Sequence, residues 1–103
     1  MNEYALLHIP DSRYCFAVGE KELVIRLRAS KEDRDAEVYL VHAPKYGFHD
    51  KRERTAMKVC YSDRLYDYYE IYLQLKDVRF AYIFEFRQKG KTYYYSEDGL
   101  TEE

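Results

Sequence analysis

The sequence predicts an all-β fold, an antiparallel β-sandwich of about eight short strands, and three observations predict it. The first is alternation. Leu65, Tyr69, Ile71, Leu73 and Leu75 carry bulky apolar side chains, separated by Tyr66, Tyr68, Glu70, Tyr72 and Gln74, and Asp67 is the one polar residue in the apolar register. After Lys76-Asp77-Val78, Phe80, Tyr82, Phe84 and Phe86 alternate with Ala81, Ile83, Glu85 and Arg87. A period of two in aromatic and β-branched residues marks half-buried strands. The second observation is that turn signals recur roughly every 8–12 residues. The third is that at ~100° per residue the same apolar positions would scatter around a helix.

Element by element, Tyr4 to His8 is an apolar run stopped by Pro10-Asp11-Ser12, an expected edge strand. Tyr14, Phe16 and Val18 form the next strand, ended by Gly19. Leu23, Ile25 and Leu27 point inward on a third, with Arg26 and Arg28 outward. Residues 29–37 (ASKEDRDAE) are charged and read as a solvated connection, because Lys and Arg offset the acids that a metal site would need. Val38 and Leu40 point inward on a fourth strand and Tyr39 and Val41 outward, with Pro44 closing it. Met57, Val59 and Tyr61 form a fifth, and Ser62-Asp63-Arg64 turns it into the long alternating run. That run and the one from Phe80 read as an antiparallel hairpin. Gln88-Lys89-Gly90-Lys91 is a second hairpin turn, Tyr93 to Tyr95 the last strand, and Leu100 to Glu103 a tail. The expected core is Leu23, Ile25, Leu27, Val38, Leu40, Tyr69, Ile71, Leu73, Phe80, Tyr82 and Phe84.

At 103 residues the chain is expected to form a single domain, 1–103. A net charge of −2 provides no basic field for nucleic acid or an anionic membrane. The 2 cysteines, Cys15 and Cys60, lack metal spacing and read as free thiols of a reducing compartment. No signal-peptide pattern and no long apolar run appear, so the expectation is a soluble, cytoplasmic protein.

Catalytic chemistry finds little support. There is no Gly-rich phosphate loop and no G-x-S-x-G, and His8, His42 and His49 are scattered over three segments. Glu70 and Glu85 read as solvated partners of cross-strand arginines, and Asp67 as a strand-opening residue bonded to a turn. No catalytic residue, metal or cofactor is expected. Binding is better supported, because sugar rings dock on flat aromatic faces flanked by hydrogen-bonding groups. Tyr46 and Phe48 in a polar loop, and Tyr68 and Tyr72 on the outward face of the long run, are the candidate carbohydrate contacts. Val24, Tyr39, Val41, Ala81 and Ile83 also point outward and are the candidate protein interface.

Several segments resemble one family. The opening YALLHIPDSRYCFAVGEKELVIRLRA, Val38-Tyr39-Leu40 followed by Tyr46, Ser62-Asp63 with Leu65-Tyr66-Asp67-Tyr68-Tyr69, and Tyr82, Phe84, Tyr95 and Gly99 are similar to the N-terminal, family-34 starch-binding module of the neopullulanase, cyclomaltodextrinase and maltogenic amylase group. Two departures are plain. His42-Ala43-Pro44-Lys45-Tyr46 keeps only the tyrosine of the family's Gly-Asp-Pro-Tyr loop, and Tyr69 stands where the family has tryptophan. The resemblance implies an immunoglobulin- or fibronectin-like sandwich cut from a larger α-amylase-type enzyme. It implies as partners a (β/α)8 catalytic domain, which carries the catalytic carboxylates, and a second subunit in a homodimer. It also implies weak contact with maltodextrin or cyclodextrin. The alternative is a docking sandwich with no sugar affinity.

Overall fold

The structure, a computed structural model, describes residues 1–10, 12–44, 52–75 and 80–103. Nine strands occur among them: β1 (Cys15–Gly19), β2 (Glu22–Ser30), β3 (Glu37–Pro44), β4 (Glu53–Ala56), β5 (Lys58–Ser62), β6 (Tyr66–Gln74), β7 (Phe80–Gln88), β8 (Lys91–Ser96) and β9 (Gly99–Glu102). They form two antiparallel sheets, one ordered β1-β2-β6-β5 and one β4-β3-β7-β8-β9. The chain divides into two compact units that follow this partition.

In the four-stranded sheet, β2 and β6 pair over nine residues, from Glu22↔Gln74 to Ser30↔Tyr66. Ile25, Leu27 and Ala29 of β2 are buried on one face with Asp67, Tyr69, Ile71 and Leu73 of β6. The outward residues of β6 are Tyr66, Tyr68, Glu70, Tyr72 and Gln74, as the alternation predicts. The expected first strand is instead a 3-10 turn, Glu3–Ala5, capped by the Asn2 side chain, which accepts from the Tyr4 backbone N–H. Leu7 makes an isolated antiparallel bridge to Arg28 of β2. The polar cap at Asn2, just before the run, wins over its apolar character.

In the five-stranded sheet, β3 pairs with β7 from Glu37↔Arg87 to Pro44↔Phe80, bringing Val38 against Phe86 and Leu40 against Phe84, all four buried. β7 turns into β8 through Lys89-Gly90, both at positive φ (52° and 78°), which matches the two-residue turn that suits the sheet's twist. The expected C-terminal tail is strand β9, paired from Ser96↔Gly99 to Tyr93↔Glu102.

Three further expectations are corrected. β6 and β7 are not a hairpin but belong to different sheets, because β6 finds its partners in β2 and β5 and β7 in β3 and β8. Leu65 precedes β6 and is 61% exposed, and Leu23 and Tyr82 are only half-buried. The side chain of Phe80 lies outside the described residues. Finally, the charged connection is not simply solvated. Asp33 is buried and accepts from the Asn2 backbone N–H at 2.9 Å, Asp35 accepts from Gln88 Nε2 at 2.9 Å, and Arg34 binds Asp67.

Asp67 is fully buried. Arg34 donates from Nη2 to its Oδ1 at 2.7 Å and from Nε to its Oδ2 at 3.1 Å, and Ser62 Oγ donates to Oδ1 at 2.6 Å. These donors satisfy a carboxylate that would otherwise be costly in an apolar register. The Arg34 hydrogen bonds, against the opposing cost of burial, hold Asp67 below the usual carboxylate pKa.

Candidate functional site

The outer face of the four-stranded sheet gathers most of the sequence's candidate chemistry. Paired residues share a face, so Val24 meets Phe16 on one side and Tyr72 on the other, and Arg26 meets Glu70. Arg28 is opposite Tyr68, and Tyr61 of β5 is opposite the other flank of Tyr68. Tyr61 reaches this face because the β5–β6 register slips between Val59 and Tyr61. One extra residue, Cys60, moves Tyr61 from the inward to the outward side. Simple alternation with Met57 and Val59 hides that, so sequence reasoning missed Tyr61.

Ion pairs and ring stacking hold the side chains here. Arg26 Nε donates to Glu70 Oε2 at 2.7 Å, its Nη1 to the Arg13 carbonyl at 3.4 Å, and its guanidinium lies 5.0 Å from the Phe16 ring centroid. Arg28 donates to the Ala5 carbonyl at 2.9 Å and lies 4.2 Å from the centre of the Tyr66 ring. Cation–π stacking leaves each guanidinium edge free to donate. Tyr68 donates its hydroxyl to Asp63 Oδ2 at 2.9 Å. Burial and then this bond push the Tyr68 hydroxyl pKa up, while the Leu65 and Tyr66 backbone N–H groups hold the Asp63 carboxyl down. Tyr61 and Tyr68 have ring centroids 5.6 Å apart with planes tilted by 43°. They line an open groove of about 470 Å³ with Arg13, Arg26 and Glu70, with the buried Tyr14 and the exposed Cys60 alongside.

The predicted carbohydrate contacts divide. Tyr46 and Phe48 lie outside the described residues. Tyr68 is half-buried at the groove, and Tyr72 is exposed on the same face, hydrogen-bonded through its hydroxyl to Glu22.

The predicted interface residues do not share one sheet. Val24 is on the four-stranded sheet, and Tyr39, Val41, Ala81 and Ile83 are on the other. Val24 and Val41 lie on the faces expected of them but are buried rather than exposed. Val24 sits between Phe16 and Tyr72, and Val41 between Arg54 and Ile83, whose larger side chains take the solvent. Tyr39, Ala81 and Ile83 are half-buried. Beside Tyr39, Glu85 is buried rather than solvated, and its Oε2 accepts from Arg54 Nη1 at 3.2 Å and Arg87 Nε at 3.0 Å. Both guanidinium groups also flank the Tyr39 ring, at 5.0 Å and 5.6 Å.

Among the described residues, the carboxyls with displaced pKa values, Asp35, Asp63 and Asp67, are displaced downward, the opposite direction from a general acid. Burial, then the Glu70 charge, pushes the Cys60 thiol up, away from a nucleophilic thiolate. Cys15 and Cys60 are not joined in a disulfide. His8 Nδ1 pairs with the Arg26 carbonyl at 2.8 Å and His42 Nε2 with Thr55 Oγ1 at 3.0 Å. Among the described residues no group of three or more His, Cys, Asp or Glu could hold a metal ion, and no helix is long and apolar enough to cross a membrane.

The strand orders β1-β2-β6-β5 and β4-β3-β7-β8, with β9 added, define the class: an immunoglobulin-like β-sandwich. A solved cyclomaltodextrinase structure matches all of the chain at a TM-score of 0.90 and 25% identity, the match covering 18% of that structure's chain. Residues 1–103 match the family described as alpha amylase, N-terminal ig-like domain, and the chain belongs to that family. It is 32% identical over 101 residues to a cyclomaltodextrinase of Thermoanaerobacter pseudethanolicus, covering 97% of this chain and 17% of that enzyme. It is 34% identical over 84 residues to a maltogenic alpha-amylase of Bacillus acidopullulyticus, covering 77% of this chain and 14% of the relative. The chain thus spans less than a fifth of the length of these relatives.

Proposed function

We propose that the chain is the N-terminal accessory domain of a cytoplasmic α-glucan-degrading hydrolase of the cyclomaltodextrinase, neopullulanase and maltogenic amylase kind. In that role it packs with a (β/α)8 catalytic domain, helps assemble a homodimer and positions substrate through weak sugar contact. The observation that carries the proposal is the match to a cyclomaltodextrinase through 97% of this chain and only 17% of that enzyme, which is what an accessory domain produces. The downward-displaced carboxylates support a non-catalytic role, and the exposed tyrosines beside arginine and carboxylate support sugar contact. Shallow contact leaves much of a sugar in water, so affinity is on the order of millimolar and becomes effective through attachment to the catalytic domain.

The test reads the coding sequence beyond Glu103 and compares the full-length enzyme with a form lacking residues 1–103. Expected results are a barrel with amylase-type carboxylate motifs, loss of the dimer by sedimentation, and a changed ratio of kcat/KM for cyclodextrin against starch. Absence of a barrel, or an unchanged dimer and ratio, overturns the proposal. The second reading, docking without sugar affinity, is favoured by Leu65 and Tyr4, which are 61% and 96% exposed at positions outside the arginine-flanked face.

A further inference from the structure

We infer that Asp67 and Arg34 form an acid-released latch at one end of the four-stranded sheet. The latch holds three segments as one cooperative unit: the N-terminal 3-10 turn, the turn after β2 and the turn before β6. At that end β2 and β6 finish their pairing at Ser30↔Tyr66, and the Lys31 backbone N–H donates to the Leu65 carbonyl at 3.1 Å. Asp63 closes the turn before β6, accepting from the backbone N–H groups of Leu65 at 3.0 Å and Tyr66 at 2.8 Å. Arg34 follows the 3-10 turn Lys31–Asp33, and its backbone N–H donates to the Lys31 carbonyl at 3.2 Å. Asp33 of that turn is buried and accepts from the Asn2 N–H, while Arg28 Nε donates to the Ala5 carbonyl. Arg34 and Ser62 then both donate to the Asp67 carboxylate, which clamps the turn after β2 to the end of β5.

Acid opens the clamp because Asp67 is fully buried in the register of Tyr69, Ile71 and Leu73. Ionised, it accepts all three hydrogen bonds. Protonated, it turns an O–H donor toward donors and leaves one of them unmatched. Arg34, 60% exposed, then regains water, and the ties that remain include neutral backbone bonds, weaker than the charge-assisted pair. The charged and titratable groups around the pair are Lys31, whose charge favours the carboxylate, Asp33 and Asp63 on the adjoining turns, and Tyr69 beside Arg34. Asp33 and Asp63 are carboxyls too, but their bonds go to Asn2 and to Leu65, Tyr66 and Tyr68 rather than to Arg34. The latch also sets where two exposed apolar side chains stand. Tyr4, 96% exposed, lies on the N-terminal turn, and Leu65, 61% exposed, lies between Asp63 and Tyr66.

The test is an acid titration of the 15N-labelled 103-residue chain followed by NMR, repeated on Asp67→Asn, Asp63→Asn and Ser62→Ala. Expected is one common midpoint, below the ordinary carboxylate range near pH 4, for the amides of Leu6, Lys31, Arg34 and Leu65, while Ile25 and Ile71 keep their native shifts. In Asp67→Asn the same four amides should already take up the parent's acid positions at pH 7, with amide exchange at Leu6 about tenfold faster. Asp63→Asn should move Leu65 and Tyr66 and leave the Leu6 transition in place. Ser62→Ala keeps the Arg34 pair but removes one donor to the carboxylate, so it should raise the common midpoint, and it serves if Asp67→Asn fails to fold. Changes confined to residues 62–67, separate midpoints for Leu6 and Leu65, a midpoint unmoved in Ser62→Ala, or loss of all native signals at once would each overturn the latch. None of these outcomes bears on the accessory-domain proposal.

Discussion

Replacing Asp67 by asparagine keeps the shape of a fully buried side chain while removing its charge. In the parent, that carboxylate accepts two hydrogen bonds from Arg34, at 2.7 and 3.1 Å, and one from Ser62 at 2.6 Å. Asparagine retains one acceptor oxygen and turns an NH2 group toward a guanidinium, placing donors against donors. Hydrogen bonds to a charged group contribute about 1.5–3 kcal/mol each in favourable cases. Arg34 is 60% exposed and regains water when released, so the net loss lies toward the lower end, about 2 kcal/mol at pH 7. With an m-value near 1.5 kcal/mol/M, the urea midpoint falls by somewhat over 1 M. The pH dependence separates this account from simple packing loss. Asp67 has a folded pKa below its unfolded value, so its stabilisation is complete above the ordinary carboxylate range near pH 4 and is lost as pH falls through the lower folded value. Urea midpoints of the parent and Asp67→Asn should therefore differ by a constant amount from pH 8 to 5, and the gap should narrow as pH falls below about 4. A gap that does not narrow below about pH 4, or none at pH 7, refutes the charge-based reasoning.

Phe84→Ala should cost about 3–5 kcal/mol by urea denaturation, because the ring is buried opposite Leu40 and stacks near Tyr82 and Tyr95; a loss below about 1 kcal/mol would contradict that packing. Lys89→Asn should stabilise by about 0.5 kcal/mol, since Lys89 sits at φ 52° in a two-residue turn that favours Asn-Gly, and a fall in the thermal midpoint would count against the turn assignment. The 103-residue chain should hydrolyse neither maltodextrin nor β-cyclodextrin, and turnover that co-purifies with the chain through successive columns would contradict the proposed accessory role.

Strand identity and facing were legible in the chain itself where alternation is uninterrupted. Tyr68 and Tyr72 point out of β6 and Tyr69, Ile71 and Leu73 point in, because a pleated strand places neighbours on opposite sides whatever it pairs with. The Lys89-Gly90 turn was legible for a similar reason, since its conformation depends on two residues. The resemblance to the amylase N-terminal family was also carried by local segments. Pairing is different. That β6 joins β2 and β5 rather than β7 depends on contacts between distant segments, and a period of two names a face without naming a partner. The slip at Cys60 that turns Tyr61 outward arises only in the β5–β6 register. The same holds for Asp67, whose counter-ion Arg34 lies 33 residues away in a stretch that reads as solvated, and for Val24, hidden by rings from two neighbouring strands. The sequence alone determined which side chains face outward along a strand; the tertiary structure decided which of them stand together, because that depends on register between segments far apart in the chain.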